Sequence, residues 1–331
     1  MNLATALAAN PDLDGPDIDL TLLSRLETIG APFRHRPLHA AAPSFRAYAA
    51  EDFPCQGAAA FPAFSITGPA CALNCVHCGG RILAPMRPAT KPEALEAALA
   101  PMIARGNLRG FLLSGGSNRR NEVRFEPYLP LIARLKRAHP HLEIAVHTGL
   151  ADPTRAASLA DAGVDVAMLD IIGHADTIRD VYHLDRPVAA FAASLHNLVA
   201  AGLRVVPHNV VGLHFGQLKG EAEALDIIAA YPTPAAILVV VMPHLADPGR
   251  FTAVDPASVG TLFGQARQTL ADRLLLVGCA RPPGRSRVLI DLYALAAGLD
   301  GIAHPAQGIM TLARHLGRPL APTPACCGLA A

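Results

Sequence analysis

The chain has 331 residues, 51% of them hydrophobic and 17% charged, with a formal net charge of +1. This length holds one barrel-sized domain or two smaller ones, and the apolar content excludes extensive disorder. Near-neutral charge removes the electrostatic case for nucleic acid, and the longest apolar stretch, residues 235–242, is too short to span a bilayer.

Residues 1–60 read as a lead-in. A short helix is expected at 20–29, then an irregular arm around Ala41-Ala42-Pro43-Ser44-Phe45-Arg46-Ala47-Tyr48, with Cys55 just after Pro54. The start, Met1-Asn2-Leu3-Ala4-Thr5, has neither a basic opening nor an apolar run behind it, so a soluble, cytoplasmic protein is expected. Strands and helices then alternate. Strands are expected at 64–67, 110–114, 143–148, 166–172, 204–211, 236–242, 274–278 and 301–303, as apolar runs bounded by Gly, Pro and Asp with both faces buried. Helices are expected at 92–105, 127–138, 154–162, 188–201, 219–230, 256–270, 288–297 and 307–316. They begin near Pro, Thr or Asp and often stop at a glycine, as at Gly163, Gly202 and Gly298. Eight β-then-α units predict an α/β fold, a (β/α)8 barrel of the TIM type; a doubly wound open sheet is the alternative. The barrel takes residues 61–317. The tail, 318–331, is proline-rich and extended and carries Cys326 and Cys327.

The chemistry is announced by Cys71-Ala72-Leu73-Asn74-Cys75-Val76-His77-Cys78, a CxxxCxxC run directly after the apolar segment Phe61-Pro62-Ala63-Phe64-Ser65-Ile66-Thr67. Three thiolates on one loop can hold three irons of a four-iron, four-sulfur (4Fe-4S) cluster and leave the fourth open. Structural zinc sites usually pair two such knuckles, and no second pair follows. A Cys/His zinc site through His77 is sterically awkward between Cys75 and Cys78. An odd total of seven cysteines in a long chain argues against a disulfide framework.

This run resembles the signature of the radical S-adenosylmethionine (radical SAM) superfamily. The resemblance implies that Cys71, Cys75 and Cys78 hold a 4Fe-4S cluster. Its open iron would chelate S-adenosylmethionine, and reductive cleavage of that ligand would yield a 5′-deoxyadenosyl radical. Barrel chemistry sits at the carboxyl ends of the strands, and the candidate cofactor contacts lie there. Ser114-Gly115-Gly116-Ser117 resembles the family's GGE motif, with Ser117 in place of the acid; an ordinary turn is the plainer account. His147 and Thr148 suit the methionine carboxylate or the ribose. Asp170 suits the ribose, a substrate group or a salt bridge. Asn209 suits the ligand or substrate, with neighbouring His208 read as a core histidine. Met242 lies in a segment resembling the one that packs adenine, and His77 in the cluster loop completes the set.

Cys279 follows the seventh expected strand, and Cys55, Cys326 and Cys327 lie on flanking segments able to reach the same rim. They are candidates for an auxiliary 4Fe-4S cluster, with unrelated free thiols as the alternative. The cysteine loop, Val206-Pro207-His208-Asn209-Val210-Val211-Gly212-Leu213-His214-Phe215-Gly216 and Gly278-Cys279-Ala280-Arg281-Pro282 are similar to biotin-synthase-related radical SAM proteins, most of all to subunits of the two-protein lipoyl synthase. No cysteine lies inside the third to fifth strands, as biotin synthase requires, and the CxxxxCxxxxxC motif of single-chain lipoyl synthase is missing. The resemblance implies sulfur insertion into the octanoyl chain of a lipoyl carrier protein, with sulfur from the auxiliary cluster. A second synthase subunit and a ferredoxin or flavodoxin would be the protein partners. Arg281, Arg285 and Arg287 would then gate the cluster or bind a carrier acid, or form a solvated basic loop. Two other classes stay open: a radical SAM enzyme acting on a free small molecule with the second cluster as electron relay, and an assembly scaffold that never cleaves its ligand.

Overall fold

Each of the eight expected apolar runs forms a strand, and three further strands join them. The computed structural model describes residues 3–8, 10, 12, 13, 15–43, 48–53 and 60–330; Cys55 lies outside them. The strands are β1 Leu38–Ala41, β2 Ala63–Ser65, β3 Arg87–Pro88, β4 Gly110–Ser114, β5 Glu143–His147, β6 Val166–Ile171, β7 Arg204–Val211, β8 Ala235–Val240, β9 Leu274–Val277, β10 Gly301–Ala303 and β11 Leu320–Thr323. The helices are α1 Leu3–Ala8, α2 Leu20–Gly30, α3 Pro92–Ala104, α4 Leu129–Ala138, α5 Pro153–Asp161, α6 Ala175–Asp180, α7 Ala189–Ala200, α8 Glu221–Ala229, α9 Pro256–Thr269, α10 Arg285–Ala296 and α11 Ile309–His315. Asp19, Asp152 and Asp255 cap α2, α5 and α9 by accepting backbone N–H bonds, which satisfies donors that a helix start leaves unpaired. Among the described residues no helix is long and apolar enough to cross a membrane.

All strand pairs are parallel, in the order β11-β1-β10-β9-β8-β7-β6-β5-β4-β2-β3. The sheet curls into a barrel of the TIM type, but its ladder has two ends, β3 and β11, where a closed eight-stranded barrel has none. Arg109 spans the gap, donating to Thr323 Oγ1 at 3.2 Å. The expected division at residues 60 and 317 therefore cuts across one sheet: the lead-in supplies β1 and the tail supplies β11.

Side-chain alternation separates two apolar layers. Ala145, Val166, Met168, Val206, Ile237, Val239 and Leu276 face the lumen, while Ile144, Val146, Ala167, Leu169, Val205, Leu238 and Val277 face the helices. Each fully buried Val, Leu or Ile contributes about 1.5–3 kcal/mol. The tail also enters the lumen. Its turn at Cys327–Leu329 packs against β1, β6 and β10, and Ala325 and Cys327 are buried among the lumen residues. A side chain at Gly328 would meet Met168 Sδ at 2.8 Å, so the turn rests directly on β6.

Candidate active site

Parallel strands bring all their carboxyl ends to one rim, and the cysteine run leaves β2 there. The loop is compact. Cys78 N–H and Gly79 N–H both donate to the Cys75 carbonyl, Val76 N–H donates to Val181 O and Leu73 N–H to Ser117 O. Asn74, Gly79 and Gly80 hold left-handed backbone angles, with φ of 48°, 52° and 75°, which glycine and asparagine tolerate best. Cys75 and Cys78 are buried and Cys71 is partly so. Burial, then the neighbouring cysteines, push the Cys75 thiol up; burial pushes Cys78 up to about 11. Three crowded sulfurs short of positive charge are what a cationic iron cluster would turn into stable thiolate ligands.

The three cysteines line a cavity of about 500 Å³ that opens at the rim and runs into the lumen. Ser114, Gly115, Gly116, His147, Thr148, Asp170, Met242 and His77 line it as well. The glycine pair has a specific packing cause. A Cβ on Gly116 would overlap the Ala70 carbonyl oxygen and lie 2.5 Å from Cys71 Cα, and one on Gly115 would meet Ile66 Cγ1 at 2.7 Å. Gly116 N–H donates to Thr67 Oγ1 at 2.7 Å, which ties this turn to the cluster loop. The glycines are thus required first by the seating of the cysteine loop.

A polar island stands in the otherwise apolar lumen. His147 Nε2 is 3.7 Å from Asp170 Oδ1, and Tyr182 donates to Asp170 Oδ2 at 3.1 Å. His208 lies beside His147, their ring centroids 5.1 Å apart, and His77 stacks on Tyr182 at 5.1 Å. Burial depresses His77 to about 4 and His208 to about 3, so both are neutral near pH 7. His208 Nδ1 and His77 Nδ1 are buried without hydrogen-bond partners among the described residues. The ligand atoms of His147, Asp170 and His208 lie within 4.8 Å of one another, close enough to share one polar ligand or a cation.

The sequence reading of β7 is reversed here. Asn209 was expected to meet the ligand and His208 to sit in the core. Instead Asn209 does not line the cavity. It is buried on the helix side, donating from Nδ2 to Glu221 O at 2.8 Å, while His208 faces the lumen. Register explains it: His208 pairs with Asp170, and Asn209 with Ile171, so His208 shares the inward parity of Asp170. Tyr182, just after α6, is the residue the sequence reading missed; no strand end or motif marks it.

Residues 65–221 match the sequence profile described as the radical SAM superfamily. This segment, just under half of the chain, is thus similar to radical SAM domains. Solved structures share the fold. Methylornithine synthase (PylB) is 12% identical with a TM-score of 0.59, covering 96% of this chain and 93% of that one. The FeFe-hydrogenase maturase HydG from Carboxydothermus hydrogenoformans is 15% identical with a TM-score of 0.61, covering 99% of this chain and 77% of that one. Streptococcus suis SuiB bound to S-adenosylmethionine is 12% identical with a TM-score of 0.52, covering 73% of this chain and 53% of that one. No curated protein matches. The matched family implies a 4Fe-4S cluster and S-adenosylmethionine, and the cysteine loop fits the former.

The other described cysteines converge on the same cavity. Cys279, just past β9, lines it together with Cys326 and Cys327 from the tail. The adjacent Cys326 and Cys327 thiols interact; this lowers Cys326 and raises Cys327, and burial and Cys279 add to the rise. The three arginines near Cys279 separate into different roles. Arg281 is buried and neither gates nor binds an external acid. It pairs with Asp291 at 2.7 Å and donates to the Gly278, Ala303 and His304 carbonyls. Arg285 clamps Asp17 at 2.6 Å on the outside, and Arg287 lines the cavity. Arg281→Met is expected to destabilise the fold by about 3–5 kcal/mol, because buried Asp291 loses its guanidinium partner. Urea unfolding at neutral pH measures it, and a loss below 1 kcal/mol, roughly the surface-pair range, would show the pair to be dispensable.

Proposed function

We propose that this radical SAM protein is a lipoyl synthase subunit that inserts sulfur into the octanoyl chain of a lipoyl carrier domain. In this reading it works with a second subunit and takes electrons from a ferredoxin or flavodoxin. The supporting observation is the meeting of two cysteine sets, Cys71, Cys75, Cys78 and Cys279, Cys326, Cys327, in one cavity. The second set is chemically suited to a second cluster: three sulfurs, two of them on a turn plugged into the lumen and the third on the strand rim. Cys55 is a further candidate ligand.

When bound, the first cluster with S-adenosylmethionine would supply the hydrogen-abstracting radical, and the auxiliary 4Fe-4S cluster the sulfur. The chain's own residues do the rest. Val210, Val239, Met168 and Leu112 give an apolar path between the cysteine sets, which suits an alkyl chain and excludes water. Asp170, oriented by Tyr182 and His147, and the neutral His208 offer hydrogen bonds to the hydroxylated or amide parts of the ligands. Ile82, Leu83 and Met86, between the cluster loop and α3, make an apolar lip at the cavity mouth.

The test is an octanoyl-lysine peptide incubated with the reduced, reconstituted protein and S-adenosylmethionine, with and without the partner subunit. The expected result is 5′-deoxyadenosine together with a peptide heavier by sulfur. Steady 5′-deoxyadenosine release with no thiolated peptide in either arm would assign another radical reaction, with the second cluster as an electron relay. No 5′-deoxyadenosine at all would assign a scaffold.

A further inference from the structure

A second concentration of charge lies at the opposite end of the barrel, where the strands begin. Arg36 precedes β1, Arg267 is on α9, Asp300 precedes β10 and Arg318 precedes β11. Arg267 is fully buried. It donates to Asp300 Oδ2 at 2.7 Å and to the Leu270 and Arg273 carbonyls, with its guanidinium 4.1 Å above the Phe33 ring. Arg36 lies over the same ring at 5.0 Å, bonds the Arg273 and Ala271 carbonyls, and reaches Asp300 Oδ1 only at 3.7 Å. Arg318 is 3% exposed. Its Nε donates to the Arg36 carbonyl at 3.1 Å, while both terminal nitrogens are buried without a partner among the described residues.

The charges around Arg318 do not balance. Arg34 is committed to Glu27 at 2.8 Å, and Arg273 has Asp272 and a ring of backbone acceptors. His39 is half-buried, and burial lowers its pKa. Three guanidinium groups, Arg36, Arg267 and Arg318, thus share one carboxylate, Asp300. Guanidinium cannot discard its proton near neutral pH, and an unpaired buried charge costs several kcal/mol. Burial pulls Arg318 down to about 10, the direction expected of a cation short of a counter-charge.

We propose that the terminal nitrogens of Arg318, beside Arg36, form a binding site for a small inorganic anion, chloride or phosphate, at the barrel floor. The anion completes the charge balance of the floor and fastens together the starts of β1, β10 and β11. The lead-in and the tail that bears Cys326 and Cys327 are thereby joined to the barrel through it. Arg36 reaches the surface, with its side chain 28% exposed, and gives the anion a way in. This site does not depend on the reaction assigned to the cavity.

Thermal unfolding of the full reconstituted chain tests the proposal at constant ionic strength, with chloride or phosphate replacing gluconate. The wild-type midpoint is expected to climb with the logarithm of chloride or phosphate concentration, by several degrees over about a hundredfold range, as linkage to a native-state site requires. Arg318→Gln is expected to flatten that response and to unfold no lower than wild type in gluconate, since it removes an unpaired charge. Equal wild-type midpoints in all three salts, or an undiminished response in Arg318→Gln, would overturn the proposal. Should that variant not fold, bromide-soaked wild-type crystals decide. An anomalous peak within contact distance of the Arg318 terminal nitrogens supports the site, and water alone there refutes it.

Discussion

Cys327→Ala is expected to halve the iron of the anaerobically reconstituted protein, from about eight to about four atoms per chain, the content of two 4Fe-4S clusters against one. Cys327 is buried in the lumen and is influenced by Cys326 and Cys279. Of the tail thiols it is the one set most firmly among lumen side chains, because the turn after it rests on Met168. Losing this anchor should empty the auxiliary site while leaving Cys71, Cys75 and Cys78 untouched. S-adenosylmethionine cleavage should then persist within a few-fold, and the thiolated peptide should vanish. The complementary variant, alanine at Cys71, Cys75 and Cys78 together, should keep about four irons and release no 5′-deoxyadenosine. Iron analysis, EPR of the reduced protein and product mass measure the three quantities separately. Full iron retention in Cys327→Ala, Cys279→Ala and Cys326→Ala alike would remove the auxiliary cluster, and sulfur insertion with it.

Much of this arrangement can be read from residue order because the physics is local. The runs at 110–114 and 235–240 are apolar on both faces, so burial alone dictates strands. The cysteine spacing is equally local, and it marks the active rim without reference to the fold. β1 and β11 are not legible in this way. Leu320–Thr323 includes Pro322, and Leu38–Ala41 includes a polar histidine and only four residues. Each becomes a strand through parallel pairing across the whole length of the chain, a contact that carries no short-range signal. The same pairing makes the extended tail part of the inner wall of the cavity. α6 is one short helix of six residues in a polar stretch, and Tyr182 reaches Asp170 only because that helix returns the chain to the rim.

Residue parity marks the other boundary of what the order reveals. On β7 the choice between His208 and Asn209 is a choice of which face points inward, and a shift of one residue reverses it. Val206 and Val210 pack in the lumen and Val205 and Val211 against the helices, so His208 must be inward. Both faces of this strand are apolar, so the pattern itself is silent on the matter. Polar residues in a doubly buried strand are therefore candidates for a site, and which of them faces it comes from the register with Asp170 on β6.

Gly116→Ala is expected to lower the rate of S-adenosylmethionine cleavage by about a hundredfold while leaving the fold intact. A Cβ there overlaps the Ala70 carbonyl oxygen and comes within 2.8 Å of Cys71 Cβ. These atoms belong to the backbone and to a cluster ligand, so no side-chain rotation relieves the overlap. The loop has to move away from the turn after β4, and Cys71 moves with it. A displacement of about 1 Å at a reacting centre costs about two orders of magnitude in rate, whereas overpacking typically costs about 1–3 kcal/mol of stability. Gly115→Ala provides the contrast. Its closest obstacle is Ile66 Cγ1, the movable part of a side chain, so its rate should fall far less. Single-turnover release of 5′-deoxyadenosine and the EPR signal of the reduced cluster with and without S-adenosylmethionine report on rate and ligation, and the thermal midpoint reports on the fold. If Gly116→Ala cleaves at the wild-type rate, the cysteine loop yields to the added methyl without shifting Cys71, and the turn after β4 does not position the cluster.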